Sequence, residues 1–353
     1  MPRYSYSNLL QFGSRVLQAA GSSADEAAIV ADGLLQADAR GVSSHGYTRL
    51  GAYAERVKRG IVRPDVRLQL LRDTSSFVHI DGGNGMDIAI ARQAMELCVE
   101  RARTTGCCFA SITNANHFGI GANYTLQAVK AGMVGLAMSN APASTVPIGG
   151  RIPKLGTNPF AVAVPAGRRV PFCLDMATSV VAQGKVILAH KQGAKTIPEG
   201  WAVDSEGRAT TDPAAALKGA MLPFGGAKGY GIALMIDLFC GALAGAHTGT
   251  TIKSFWTDFQ EPQGLGIFLG VWNLEVLGER DVVLARVDAL LDDIKSTPPT
   301  DGADEVFYAG ELEHRRADQA HRDGIDFDPT VSRQINDLAT AYGIEPPLSI
   351  STR

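Results

Sequence analysis

The chain has 353 residues, 45% of them hydrophobic and 20% charged, which predicts two or three structural units with a substantial buried core. The 36 acidic and 33 basic residues nearly balance, and without a basic stripe we expect no nucleic-acid partner. No uncharged run approaches the roughly 18 apolar residues of a membrane span, and the N-terminal segment lacks the apolar core of a signal peptide, so we expect a cytoplasmic protein.

The first stretch of the chain, residues 1–72, is predicted to be helical. Ser23 and Glu26 have the spacing of a capping box, and Gly41 is placed to end the helix that they begin. A second helical pattern starts at Leu50 and stops at Gly60.

The middle stretch, residues 73–300, alternates short apolar runs with glycine-rich turns and amphipathic segments. Strands are predicted over 77–80, 107–112, 134–138, 160–164 and 172–175. Helices are predicted over 88–103, 123–131, 178–190 and 231–243. This alternation predicts an α/β core in which helices cover a sheet.

The last stretch, residues 301–353, follows a proline-containing break at 298–302. It contains a charged segment, 311–326, and a final predicted helix over 331–342. The five cysteines of the whole chain form no C-x-x-C pair, so we expect neither a disulfide scaffold nor a structural metal site.

Several common catalytic motifs are absent. A Rossmann dinucleotide site needs G-x-G-x-x-G after a strand, but Gly119 and Gly121 are followed by Tyr124 where the third glycine belongs. The sequence also contains no P-loop, no H-E-x-x-H and no G-x-S-x-G. It therefore gives no support to nucleotide hydrolysis, zinc protease chemistry or an α/β-hydrolase.

The strongest candidate site surrounds a glycine turn between two predicted helices, where Ser44, His45 and Arg49 lie close together in the sequence. If the second helix starts near Gly46, His45 and Arg49 both lie at its N-terminus, which favours an anion. A guanidinium group can hold the carboxylate of a 2-oxo or 2-hydroxy acid while an imidazole that titrates near neutrality moves the proton. The alternative is an ordinary interhelical loop with a surface histidine and arginine.

Four further segments carry candidate groups, and each has a simpler alternative. His117 lies between a strand and a helix, where α/β sheets place ligand groups, or it only caps that helix. Met176, Ala177 and Ser179 begin a predicted helix that can hold a phosphate, or Thr178 simply caps it.

Lys228 lies in a glycine-rich turn that suits a phosphate or carboxylate, and the alternative is a solvated lysine in a tight turn. Asn158 lies in Gly-Thr-Asn-Pro, which is a turn by composition and needs no other function.

Eight motifs in order resemble the type-2 malate/L-lactate dehydrogenase family over roughly residues 5–345. They are Arg-Gly-x-x-Ser-His-Gly at 40–46, His-Phe-Gly at 117–119, Pro-x-Gly-Gly at 147–150, Gly-Thr-Asn-Pro at 156–159, Asp-Met-Ala-Thr-Ser at 175–179, Pro-Glu-Gly-Trp-Ala at 198–202, Thr-Thr-Asp-Pro at 210–213 and Gly-Gly-x-Lys-Gly-Tyr-Gly at 225–231. The resemblance implies an α/β fold other than Rossmann, with a mixed sheet core. It also implies a homodimer, and a helical region in which residues 301–353 pack on the N-terminal helices.

The resemblance also implies roles for individual residues. His45 would be the acid/base, oriented by Ser44, with His117 lining the site or serving as the acid/base itself. Arg49 would bind the substrate carboxylate, and Asn158 is assigned to the same substrate site. The cofactor, NAD or NADP with NAD or dual use favoured, would contact residues from three segments: Asp175, Met176, Ala177, Ser179, Lys228, Gly310 and Glu311.

The implied reaction is NAD(P)-dependent interconversion of a small 2-hydroxy acid and its 2-oxo acid, of the malate, lactate, sulfolactate or ureidoglycolate kind. Reductases of cyclic imines in the same family carry an aspartate where this chain has Lys185 after Gly184, so imine reduction is the second alternative. An inactive ligand-binding relative and a cofactor-free hydrolase using Ser44 and His45 are alternatives of other classes. We expect the hydrolase to fail because adjacent residues rarely let an imidazole reach the neighbouring hydroxyl group.

Overall fold

The computed structural model describes residues 2–350 of the chain. Its α-helices are α1 (Tyr6–Ala20), α2 (Ala24–Ala39), α3 (Leu50–Lys58), α4 (Asp87–Thr105), α5 (Ala122–Lys130), α6 (Gln183–Lys191), α7 (Pro213–Lys218), α8 (Ala227–Asp237), α9 (Arg280–Lys295), α10 (Glu311–Asp323) and α11 (Pro329–Tyr342). Its strands are β1 (Arg3–Tyr4), β2 (Gln69–Asp73), β3 (Phe77–Asp81), β4 (Cys107–Ala115), β5 (Met133–Ser139), β6 (Phe160–Val164), β7 (Phe172–Met176), β8 (Ala202–Val203), β9 (Ala209–Thr210), β10 (Ala220–Met221), β11 (Leu265–Asn273), β12 (Ile325–Asp326) and β13 (Ser349–Ile350).

A seven-stranded mixed sheet forms the centre of the molecule, in the order β2-β3-β4-β11-β5-β6-β7. Only β3 and β4 run parallel in this sheet, and every other neighbouring pair is antiparallel. A doubly wound Rossmann sheet is mostly parallel, so the prediction of an α/β fold other than Rossmann is confirmed. Helices α4 and α5 pack on this sheet over fully buried side chains such as Ile80, Ile112 and Leu269.

A helical layer lies beside the sheet and combines both ends of the chain. Helix α1 packs against α2, α3 and α11, and α10 packs against α2. These helices share one apolar core in which Leu9, Leu34, Leu50 and Ile335 are almost completely buried. Short strands join the ends as well, since β1 pairs with both β12 and β13.

Two predicted helix boundaries were wrong in ways that affect the site. The predicted helix 178–190 begins only at Gln183, because residues 178–180 hydrogen-bond to neighbouring loops instead. Helix α8 begins at Ala227, before the predicted residue 231, and continues as a π-helical turn over Leu238–Ala242. Within this helix position 229 requires glycine, because a β-carbon there would lie 2.0 Å from the carbonyl oxygen of Phe224.

Within residues 2–350, no helix combines the length and apolar character needed to cross a membrane.

Candidate active site

The segment between α2 and α3 forms two consecutive 3₁₀ turns, Ser43–His45 and Tyr47–Arg49. The expected helix start near Gly46 was therefore wrong: Gly46 lies between the turns with non-helical backbone angles (φ −95°, ψ −142°), and α3 begins at Leu50 with Arg49 as its cap residue. We call residues 43–49 the catalytic turn. Its compact form brings both predicted functional side chains, His45 and Arg49, close to Ser44.

Ser44 contacts both of these residues. Its hydroxyl oxygen lies 2.9 Å from Nδ1 of His45, and its carbonyl oxygen accepts a hydrogen bond from Nε of Arg49 at 2.7 Å. The expectation that adjacent residues would fail to make the hydroxyl–imidazole contact was therefore wrong. The short 3₁₀ turn allows it, and the contact fixes the orientation of the His45 ring.

Arg49 presents a guanidinium group with no carboxylate partner among the described side chains. Its Cζ lies 4.8 Å from the centroid of the Trp256 ring and 5.6 Å from that of Phe255. Burial lowers the pKa of Arg49 to about 10, so the group remains a cation at neutral pH. We call the rings of Phe255 and Trp256 the aromatic wall. An unpaired guanidinium group that packs against these rings is suited to bind an incoming carboxylate.

His117 joins this group from the end of β4. Its ring stacks on that of His45, with centroids 5.4 Å apart. Its Nδ1 lies 2.6 Å from the hydroxyl oxygen of Tyr53 and accepts a hydrogen bond from the backbone N–H of Gly119 at 3.3 Å. Since Nδ1 accepts, a neutral His117 carries its proton on Nε2.

Both imidazole rings are held in the neutral form. Burial, followed by the positive charge of Arg49, lowers the pKa of His45 to about 3. Burial also lowers the pKa of His117 well below its ordinary value, with further contributions from Arg49 and His45. The expectation of an imidazole titrating near neutrality is therefore wrong for the free protein, because the site desolvates both rings beside a cation.

The aromatic wall belongs to a loop that sequence reasoning did not connect with the site. Arg56 is 1% exposed and donates hydrogen bonds to the carbonyl oxygens of Phe255 (3.3 Å), Asp258 (2.6 Å) and Glu261 (3.3 Å). These bonds hold the loop that carries Trp256 over Arg49. The only available signal was spacing, since Tyr53 and Arg56 follow Arg49 by four and seven residues on one face of α3.

The predicted cofactor segment at the end of β7 lies against the start of α5. Oδ2 of Asp175 accepts a hydrogen bond from the backbone N–H of Ala122 at 2.8 Å, and burial raises the pKa of Asp175 to about 6. Met176 ends β7, and Ala177 follows it. The structure thus places these three residues together at one edge of the sheet.

Gly310 lies against the same strand. A β-carbon at Gly310, whose φ is 92°, would lie 2.8 Å from the backbone nitrogen of Cys173. The carboxylate of Glu311 accepts hydrogen bonds from Lys295 at 3.0 Å and Arg315 at 2.9 Å. That carboxylate is buried and already paired with both cations. It therefore stabilises the surrounding segments and is not free to bind a cofactor in this arrangement.

The loop after β7 does not form the helix start that was expected to hold a phosphate. The Thr178 hydroxyl donates to the carbonyl oxygen of Thr157 at 2.9 Å, and the buried Ser179 hydroxyl donates to that of Val181 at 2.9 Å. Because their protons are already engaged, neither hydroxyl is free to donate to a phosphate. The cofactor contact of Ser179 stays a prediction, and in this arrangement it would have to come from a group other than the hydroxyl proton.

Asn158 is also a bracing residue. It is completely buried, its Oδ1 accepts from the N–H of Ala141 at 2.9 Å, and its Nδ2 donates to the carbonyl oxygen of Ala233 at 2.8 Å. These bonds connect the loop after β5 to α8. The side chain of Asn158 is thus engaged by neighbouring segments, and its contact with substrate stays a prediction.

Lys228 is exposed in the first turn of α8, and no ion pair engages it among the described side chains. Gly225 and Gly226 precede it with φ values of 55° and 61°, which only glycine adopts readily. No described side chain caps this end of the helix, although the backbone N–H groups of Lys228 and Gly229 donate to the carbonyl oxygens of Gly225 and Phe224. The positive end of the helix dipole and the exposed lysine are therefore the features that suit a phosphate. Within residues 2–350, no cluster of side chains is suited to hold a metal ion.

Comparison with known proteins gives a consistent result. A family model described as malate/L-lactate dehydrogenase matches residues 4–336. The L-sulfolactate dehydrogenase of Methanocaldococcus jannaschii is 36% identical over 93% of this chain and 94% of that protein. The solved structure of the sulfolactate dehydrogenase from that organism has a TM-score of 0.90, with 35% identity over 97% of this chain and 98% of that one.

Two other relatives carry their cofactor in their names. The ureidoglycolate dehydrogenase (NAD(+)) of Escherichia coli O157:H7 is 33% identical over 94% of this chain and 95% of that protein. The (2R)-3-sulfolactate dehydrogenase (NADP(+)) of Chromohalobacter salexigens is 38% identical over 70% of this chain and 73% of that protein.

Proposed function

The chain belongs to the malate/L-lactate dehydrogenase family, and we propose that it interconverts a small 2-hydroxy acid and its 2-oxo acid with NAD or NADP. One observation carries this proposal: the guanidinium group of Arg49 has no carboxylate partner among the described side chains and lies beside the stacked rings of His45 and His117. A cation for the carboxylate and imidazoles for the proton are the groups that this reaction requires.

In the proposed mechanism, Arg49 binds the substrate carboxylate through its terminal nitrogens, because its Nε is already bound to Ser44. In the direction of reduction, the hydride for the carbonyl carbon would come from NAD(P)H when it is bound. His45 donates the proton that the carbonyl oxygen then requires, and in the reverse direction neutral His45 accepts it. Ser44 holds the His45 ring in the orientation for this transfer.

We assign His117 a supporting role as a neutral hydrogen-bond donor. Tyr53 and Gly119 both engage Nδ1, so a protonated His117 would leave the Gly119 N–H facing another N–H group. That arrangement opposes protonation of His117 more directly than that of His45, whose Nδ1 faces a hydroxyl group able to accept or donate.

For the cofactor, we propose contacts with Asp175, Met176, Ala177 and Gly310 at the edge of β7 and with Lys228 at the start of α8. The positive end of the α8 dipole, together with the exposed Lys228, fits a pyrophosphate. Titration of NADH fluorescence tests this assignment: Lys228→Ala should weaken binding several-fold, whereas Lys218→Ala, an exposed lysine at the end of α7, should not. Equal affinities for both variants would remove Lys228 from the site.

We also propose that the protein is a cytoplasmic homodimer built from units 1–72, 73–300 and 301–353. Its described cysteines are all free, as is usual in a reducing compartment. Support for a dimer comes from large apolar side chains exposed along α8 and its π-helical continuation: Leu234, Met235, Leu238, Phe239 and Leu243. Light scattering at micromolar concentration should give twice the 37.3 kDa chain mass, and a fully active monomer would refute this proposal.

A panel of 2-oxo acids, 2-hydroxy acids and cyclic imines, each assayed with both cofactors, tests the function directly. Turnover of an oxo or hydroxy acid supports the proposal, while turnover of imines alone would replace it with imine reduction. Binding of NADH without turnover of any substrate would indicate an inactive relative. Hydrolysis of an ester without NADH binding would favour a Ser44–His45 hydrolase.

A further inference from the structure

The last turn of α2 carries an acidic residue, Asp38, at a position that is electrostatically unfavourable. The C-terminus of a helix is the negative end of its dipole and favours basic residues, yet α2 has no basic residue in its last turn. Burial also opposes ionisation of this carboxyl group and raises its pKa to about 8. Among the described side chains, no cation pairs with it.

The carboxyl group of Asp38 contacts the catalytic turn at two residues. Its Oδ2 accepts a hydrogen bond from the backbone N–H of Tyr47 at 2.7 Å. A β-carbon at Gly46 would lie between 2.1 and 2.2 Å from the three carboxyl atoms of Asp38, which are its three nearest neighbours. The carboxyl group therefore lies directly against the backbone of Gly46.

Gly46 is therefore glycine for a steric reason. Its φ of −95° is negative, so its backbone conformation does not call for glycine. The close approach of Asp38 leaves no space for a side chain there. Asp38 and Gly46 thus form a complementary pair, in which a side chain at position 46 would displace the Asp38 carboxyl group.

In the sequence, Gly46 lies between His45 and Arg49, the two residues that we place in contact with substrate. Gly46 follows His45 directly, and its carbonyl oxygen accepts a hydrogen bond from the N–H of Arg49 at 2.9 Å. We propose that Asp38 is a positioning residue for the dehydrogenase reaction, which holds Gly46 and Tyr47 and thereby fixes the spacing between His45 and Arg49. This inference rests on the proposed function.

Two substitutions of Asp38 separate positioning from general stability. Asp38→Ala removes the acceptor, so His45 and Arg49 shift together: we expect kcat to fall about 10- to 100-fold, since an error near 1 Å in a catalytic group costs that much, and KM for the acid to rise. Asp38→Asn keeps an acceptor oxygen of the same shape and should remain within about 3-fold of wild type. Cofactor affinity should not change in either variant.

A double-mutant cycle with Gly46 gives the decisive test. Gly46→Ala alone should reduce kcat and raise the acid KM as Asp38→Ala does, because its methyl group meets the carboxyl group. In the double variant Asp38→Ala/Gly46→Ala that group is gone, so activity should be no lower than in Asp38→Ala alone. Melting temperature and circular dichroism identify the folded fraction, and the acid KM does not depend on how large that fraction is.

Three results would overturn the inference. One is an Asp38→Ala variant with the kcat and acid KM of wild type, and another is an Asp38→Asn variant as impaired as Asp38→Ala. The third is a double variant whose losses multiply. If wild-type protein turns over no substrate in the panel, the proposed function fails. The inference about Asp38 then fails as well, because it depends on that function. Normal turnover in both wild type and Asp38→Ala would overturn the inference alone.

Discussion

The hydroxyl oxygen of Tyr53 lies 2.6 Å from Nδ1 of His117 and 2.7 Å from the carbonyl oxygen of the same residue. One phenolic proton therefore serves two acceptors, and it holds both the ring and the backbone of His117 in place. Tyr53 is 5% exposed, so water cannot easily replace this bond. The His117 ring in turn forms the surface on which His45 stacks.

Replacing Tyr53 with phenylalanine should lower kcat by up to about 10-fold, which corresponds to the loss of one hydrogen bond between neutral groups. The aromatic ring and its contact with Phe255 remain, so the fold should be retained. Steady-state kinetics at saturating cofactor measures the effect, with NADH affinity as the control. A kcat equal to that of wild type would show that the Tyr53 hydroxyl does not orient His117 in the reacting enzyme.

Trp256 covers the guanidinium group of Arg49, and its removal should affect substrate binding more than turnover. A cation–π contact contributes about 0.5–2 kcal/mol, so Trp256→Ala should raise KM for the acid about 2- to 30-fold. Phe259→Ala is the matched control, because Phe259 belongs to the same loop but contacts Arg56 and Arg59 instead. A similar KM increase in both variants would assign the effect to the loop as a whole.

The pH dependence follows from the lowered pKa of His45, which is about 3 in the free protein. Oxidation of the hydroxy acid needs neutral His45, so its kcat/KM should be constant between pH 5 and 7 at saturating cofactor. Reduction needs the imidazolium form, whose population falls roughly tenfold per pH unit above that pKa, so its kcat/KM should fall throughout the range. An inflection near pH 6.5 in either direction would contradict the desolvation of this ring.

Asp87 predicts a separate effect on stability. It is completely buried at the start of α4, and within residues 2–350 neither carboxyl oxygen has a hydrogen-bond partner. Burial raises its pKa well above the ordinary value, so as pH rises above the ordinary carboxyl range the folded state keeps a proton that the unfolded state has released. The free energy of unfolding therefore falls as pH rises.

Asp87→Asn cannot ionise, so the melting temperature of this variant should exceed that of wild type by an amount that grows between pH 5 and 8. Asp281→Asn is the control, since Asp281 is also in the first turn of a helix, α9, but is exposed. A difference from wild type that is constant over this pH range would show that Asp87 does not carry the proton.

The local part of the site could be predicted from the sequence, because Ser44, His45 and Arg49 lie within six residues. The aromatic wall could not, since Phe255 and Trp256 reach Arg49 only after some 200 intervening residues have folded. The sequence also could not show that the side chains of Asn158, Ser179 and Glu311 are already hydrogen-bonded to neighbouring groups. A sequence shows that a polar group is present but not that neighbouring loops have already used its hydrogen bonds.

The central strand β11 shows the same limit in the fold. It was not predicted, although it pairs with both β4 and β5, because Gly266 and Gly270 interrupt its apolar pattern. A β-carbon at Gly270 would lie 2.8 Å from the Phe109 ring, so this glycine marks close packing and not a turn. The strands β3 to β7 were predicted from their apolar runs, which glycine interrupts less often.

The proposed mechanism gives His45 and Arg49 separate roles. The variants His45→Ala and Arg49→Lys distinguish these roles. Arg49→Lys keeps the charge but loses the planar fork, so it should chiefly raise the acid KM. His45→Ala removes the proton donor and should lower kcat about 10²- to 10⁴-fold while NADH affinity stays near that of wild type.

The most direct single measurement is kcat of His45→Ala for reduction of the best 2-oxo acid, at saturating substrate and cofactor and beside His117→Ala. We predict that His45→Ala loses the larger factor, of at least about 100-fold. A His45→Ala variant that retains wild-type kcat, with His117→Ala inactive, would contradict this account and make His117 the acid/base.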